Sequence, residues 1–82
     1  MTIAELGFRF ILSNPQDDFV GTKINRTDLS PLEIEDVKSF IGKQYSLTDA
    51  LSEKTYILDL TQAKIEKNEL VFAGAKPNFY RA

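Results

Sequence analysis

Cysteine, histidine and tryptophan are all absent from this sequence, and glycine and proline are scarce, at four and three residues. Without cysteine, disulfides and thiolate metal sites are excluded together. Without imidazole, zinc, copper or iron would lack a nitrogen ligand, so no metal and no cofactor is expected. Nucleophilic catalysis lacks its parts as well. There is no cysteine nucleophile, and the serines have no histidine to serve as base. The glycines (Gly7, Gly21, Gly42, Gly74) are scattered, so no phosphate loop, dinucleotide fingerprint or nucleophile elbow can be built from them. No apolar run approaches the ~20 residues that a membrane span requires. The opening MTIAELGFRFIL carries Glu5 and Arg9 within its apolar stretch and lacks both a basic leader region and a small-residue cleavage site, so it reads as mature structure. Together with the missing cysteines, this predicts a cytoplasmic protein.

What is present describes an ordinary folded chain. With 43% hydrophobic and 27% charged residues, the composition is that of a globular protein. Eighty-two residues suffice for one domain, 1–82, whose core would bury only ~60% of the unfolded surface. Disulfides and metals being excluded, the remaining support is good packing of the chain itself, or burial against a partner chain or a second copy in a homodimer. The net charge of −2 is unevenly spread: residues 1–36 hold seven acids and three bases, residues 37–82 five acids and seven bases. Such a division permits a charge-steered contact and argues against generic phosphate-backbone binding, which needs a clearly basic face.

Local patterning predicts an α+β domain in the order β-β-α-β-β, with one main helix packed on an antiparallel sheet. Leu6 to Leu12 is aromatic and β-branched enough for a strand with Leu6, Phe8, Phe10 and Leu12 on one face. A helix starting at Thr2 is the competing reading, because Thr2-Ile-Ala-Glu5 fits a capping box; Gly7 counts against it. Ser13 to Asp18 reads as a loop, and Phe19 to Asn25 as a second, weaker strand. The main helix is expected over 31–43. Ser30 stands at the N-cap, Pro31 at the first helical position and Glu33 at the box position. Ile34, Val37, Ile41 and Tyr45 then follow at helical spacing. Ser46 to Lys54 reads as a helical turn or a plain connection. A hairpin follows, turning at Glu66-Lys67-Asn68-Glu69 with Asn68 available for a left-handed residue. Its register should pair Ile65 with Leu70 and Ala63 with Phe72, which puts the apolar residues on one face. Tyr56, Leu58 and Leu60 are out of phase with Ala63 and Ile65, so a bulge or break is expected near Thr61-Gln62, or else a strand buried on both faces at Tyr56 to Leu60. A helix over 61–70 is the alternative.

Three classes of function remain. The leading expectation is a non-catalytic protein-interaction module: an accessory subunit, an adaptor or a small inhibitor of a larger protein. Its candidate contact residues are Phe79, Tyr80 and Arg81 in the tail, types enriched at interface hot spots, with Tyr56 and Leu58; the competing reading of the tail is that its aromatics fold back and complete the domain's own core. The second is single-stranded nucleic-acid binding through Phe8, Arg9 and Phe10. That run loosely resembles the RNP1 motif of RNA-recognition domains, whose aromatics stack on bases. It departs from the motif by having Leu6 where a basic residue belongs. The third is a carboxylate-dependent enzyme using Asp17 and Asp18, although turn chemistry also accounts for that pair.

Overall fold

A computed structural model describes residues 1–13, 23, 24 and 26–82 of the chain. Two helices and six strands form a mixed α+β domain: α1 (Ile3–Ser13), β1 (Arg26–Asp28), α2 (Pro31–Lys38), β2 (Gln44–Thr48), β3 (Thr55–Asp59), β4 (Ala63–Glu66), β5 (Glu69–Phe72) and β6 (Phe79–Arg81). The strands make two antiparallel three-stranded sheets, ordered β1-β5-β4 and β2-β3-β6.

The first segment is a helix, not the expected strand. The Thr2 N–H donates to Glu5 Oε1 at 2.9 Å and the Glu5 N–H to Thr2 Oγ1 at 3.1 Å, a closed capping box. Burial follows the helical period. Leu6 and Phe10, four residues apart, have no exposure, while Phe8 and Leu12 face outward. Gly7 lets the helix lie close on β2, since a Cβ there would overlap Leu47 Cδ1. The expected second strand, Phe19 to Asn25, lies almost wholly outside the described residues; Lys23 and Ile24 are not in a strand. The strand that does precede α2 is β1, and it pairs with β5.

α2 starts as expected and ends five residues early, at Lys38 rather than position 43. At its start the Ser30 N–H donates to Glu33 Oε1 at 2.9 Å. At its end the Ser39 hydroxyl donates to the Asp36 carbonyl at 2.6 Å, drawing off a carbonyl the helix would need to continue. Gly42 then takes φ +95°, a conformation that favours glycine and turns the chain into β2. Tyr45, expected on the helix stripe, lies in β2 and donates its hydroxyl to the Phe40 carbonyl at 2.8 Å.

The C-terminal hairpin adopts the expected register, Ala63 opposite Phe72 and Ile65 opposite Leu70. The helical alternative over 61–70 is not taken up. The phase conflict is resolved by a break. β3 ends at Asp59, whose Oδ1 accepts the Thr61 N–H at 2.9 Å and the Thr61 hydroxyl at 2.5 Å. The chain turns there, so Tyr56 and Leu58 face inward from one sheet, and Ala63 and Ile65 from the other. The left-handed residue of the hairpin is Lys67, φ +57°, and not Asn68. The carbonyl of Asn68 instead accepts the Leu29 N–H at 2.8 Å.

The core lies between the two sheets and is joined by Phe10. Its ring meets Phe72 of one sheet edge-on at 6.2 Å and Phe79 of the other at 5.5 Å. Phe79 also stacks on Tyr56 at 5.4 Å. The residue before β6, Asn78, is buried and acts as a surrogate strand. Its amide donates to the Ile24 carbonyl at 2.7 Å and accepts the Ile24 N–H at 2.8 Å. Among the described residues every buried side-chain nitrogen and oxygen has a partner, and no helix is long and apolar enough to cross a membrane.

Candidate functional site: an apolar groove beside the first helix

At about 100° per residue, the apolar residues of α1, from Leu6 round to Leu12, cover about 240° of its circumference, leaving Glu5 and Arg9 on the polar remainder. The fold buries less than half of that arc, the part holding Leu6, Gly7 and Phe10. Ala4, Phe8 and Leu12, each four residues from the next, form an uncovered ridge, with Phe8 49% and Leu12 67% exposed. A helix apolar nearly all round normally has protein on every apolar side.

Across from this ridge stands the turn between β2 and β3. It is held rigid by Asp49, whose carboxylate accepts the Leu51 N–H at 3.0 Å and the Ser52 hydroxyl at 2.9 Å. The Asp49 carbonyl accepts the Glu53 N–H at 2.7 Å, and the Asp49 N–H donates to the Lys54 carbonyl at 2.8 Å. The turn lifts Leu51 to its tip, where the side chain is 93% exposed. Between the two banks runs an open groove of about 970 Å³, with Leu47, Tyr56 and Phe79 contributing to its lining. Each bank presents exposed apolar side chains, Leu51 on one and Phe8 and Leu12 on the other.

Among the described residues, the charged groups lining the groove are the Met1 ammonium, Glu5, Arg9, Glu33 and Asp49, and the ammonium is paired with the Asp36 carboxylate. Arg9 makes a two-pronged contact with Glu33, through Nη1 to Oε1 at 3.1 Å and through Nη2 to Oε2, and Nη1 also reaches the Asp28 carbonyl at 3.4 Å. One guanidinium thus ties α1 to α2 and β1. Arg9, and then the Ser30 N–H, hold the Glu33 carboxyl down at about 2, and Glu33 in turn raises Arg9. Hydrogen bonds from Thr2 lower Glu5, and those from Leu51 and Ser52 lower Asp49. All three carboxylates are therefore ionised at neutral pH. With Arg9 paired to Glu33 and the Met1 ammonium to Asp36, the carboxylates left without a cation in an ion pair are Glu5 on the helix bank and Asp49 on the turn bank.

The residues singled out in the sequence are distributed as follows. Phe8 and Arg9 line the groove and Phe10 does not, being buried beneath α1. The three share no face, because their segment is helical. Tyr56 and Phe79 reach the groove from below while belonging to the core; Leu58 is wholly interior. Tyr80 lies on the opposite face of its sheet, its hydroxyl 3.4 Å from Gln44 Nε2, and Arg81 is exposed at the end of β6. Asp17 and Asp18 lie outside the described residues. Among the described residues, no three acidic side chains are grouped so as to hold a metal ion. Leu12, Leu47 and Leu51 were not anticipated. The spacing Ala4-Phe8-Leu12 would have pointed to the first of them had the segment been read as a helix. Comparison with known proteins returns nothing: no family model fits the chain, and neither a curated protein nor a solved structure matches it.

Proposed function

We propose that the chain is a non-catalytic protein-interaction module that binds another protein through the groove between α1 and the β2–β3 turn. The observation that carries this reading is the grouping of Phe8, Leu12 and Leu51, exposed on the two banks of one depression. Covering a side chain of this size is worth about 1.5–3 kcal/mol when it passes fully out of water. The module would act as an accessory subunit, adaptor or small inhibitor, and a cytoplasmic setting suits a chain without cysteine. Tyr80 would play no part in this surface, since it lies on the far face of its sheet.

The test is co-purification of the tagged chain beside a Phe8→Ser, Leu51→Ser double variant, with the mass of each species read by light scattering. A stoichiometric companion of the unaltered chain that the variant loses is the expected result. A companion retained equally by both, or an unaltered chain that stays a lone monomer in its native extract, would overturn it. The two substitutions are at exposed positions and should leave folding intact.

A further inference from the structure

Resting on that reading, we infer that the occupant of the groove is an amphipathic helix with an apolar stripe flanked on both sides by lysine or arginine. The shape argument starts from Ala4, Phe8 and Leu12, which stand four residues apart and form a ridge along one row of α1. Such ridges are met by the furrows of another helix, and an amphipathic helix laid along an apolar groove is a recurring mode of recognition. The charge argument is that the apolar floor has a carboxylate on each bank, Glu5 and Asp49, while the groove's two cations, the Arg9 guanidinium and the Met1 ammonium, are held by Glu33 and Asp36. A helix with cations on both flanks sets opposite charges against both banks. A second copy of this chain would bring the same negative rim against its own, and an acidic helix would do so more strongly.

The chain has no tryptophan, so the indole of a probe peptide can be read without background. The probe is a synthetic leucine-lysine helix of about 15 residues, near the length at which isolated helices become marginally stable, with one tryptophan in its stripe. One control replaces every lysine by glutamate. The other keeps the composition and scrambles the stripe. The leucine-lysine peptide is expected to bind one-to-one, at least about tenfold tighter than either control, a difference of about 1.4 kcal/mol. Its affinity should fall with added salt. Phe8→Ser with Leu51→Ser should weaken it by about tenfold or more, and Glu5→Gln, which keeps the capping box closed, by a few-fold. Equal binding of the glutamate or scrambled peptide would overturn the inference. So would a dimer of the unaltered chain that Phe8→Ser with Leu51→Ser converts to monomer, because a second copy would then be the occupant. If none of the peptides binds while a companion protein is still lost on substituting Phe8 and Leu51, the helical partner falls and the interaction module stands.

Discussion

α1 lodges Leu6 and Phe10 in the core without exposure, whereas α2 buries Val37 alone and leaves Leu32 89% exposed. Local chemistry ranks the two the other way. α2 has a proline at its first position, a glutamate folded back on its cap, acids early and a lysine late, the features that stabilise a helix in isolation. α1 has a glycine at its centre and no basic residue in its last turn. Caps and charges decide where a helix can form; the apolar residues it delivers decide how much of the fold depends on it. α2 is an outer cover over β4, while α1 holds the two sheets together and still has apolar surface to spare.

The contrast can be broken or sharpened by substitution. Phe10→Ala should cost about 3–5 kcal/mol, since it empties the space between Phe72 and Phe79. Val37→Ala should cost roughly 2 kcal/mol, from two lost methyl groups and a smaller void. Urea unfolding measures both, and a Val37 loss equal to that of Phe10 would remove the distinction between the helices. The next effect is set by pH. The Glu33 carboxyl is held at about 2 in the folded chain against an ordinary value of 4.5. Its contribution is therefore present in full above pH 4.5 and is lost as the pH falls towards 2. Because the pair is partly open to solvent, that contribution should not exceed about 1 kcal/mol. The urea midpoint, followed from pH 6 to pH 3, should fall less steeply in Glu33→Gln than in the unaltered chain. The smallest effect belongs to the outer face of α1: Leu12→Ser should change stability by no more than about 0.5 kcal/mol. A larger loss would mean that the chain itself covers this residue.

How much of the molecule could be read in advance follows from the range over which each signal acts. The start of α2, the Ile65–Leu70 register and the break after β3 rest on neighbours a few residues apart, and all three stand in the structure. The break is the clearest case, because two-residue periodicity alone puts Tyr56, Leu58 and Leu60 out of phase with Ala63 and Ile65; that the chain changes sheets there is visible only in the structure. α1 was misread because Phe-Arg-Phe-Ile favours a strand by propensity. The deciding quantity was where Phe72 and Phe79 would meet Phe10, and both come from far along the chain. β2 and β6 escaped notice because Gln44–Thr48 is mostly polar and Phe79–Arg81 is only three residues long; each is a strand by virtue of lying beside β3. The groove was still less accessible, since its banks are separated by β1, α2 and β2 in the chain. Only Phe8 and Arg9, named for another role, and Tyr56 and Phe79, named for contact, were already in view.

The meeting of Phe10 with Phe79 also sets a clock. Phe10 leaves the ribosome long before Phe79, and at translation rates of about 5–20 residues per second α1 waits some seconds for the strand that receives it. Throughout that interval the 11-residue segment, too short to hold a helix by itself, has no settled face: the side later turned to the core and the side left open in the finished protein are equally in water. Folding must choose between them. A ligand that captured the outer ridge early would leave Leu6 and Phe10 free to close on β6. One that captured the inner side would keep the two sheets apart and stall assembly. The fold is thus most exposed to wrong partners before its last strand arrives, and the residues by which it would take up a right one are the same kind.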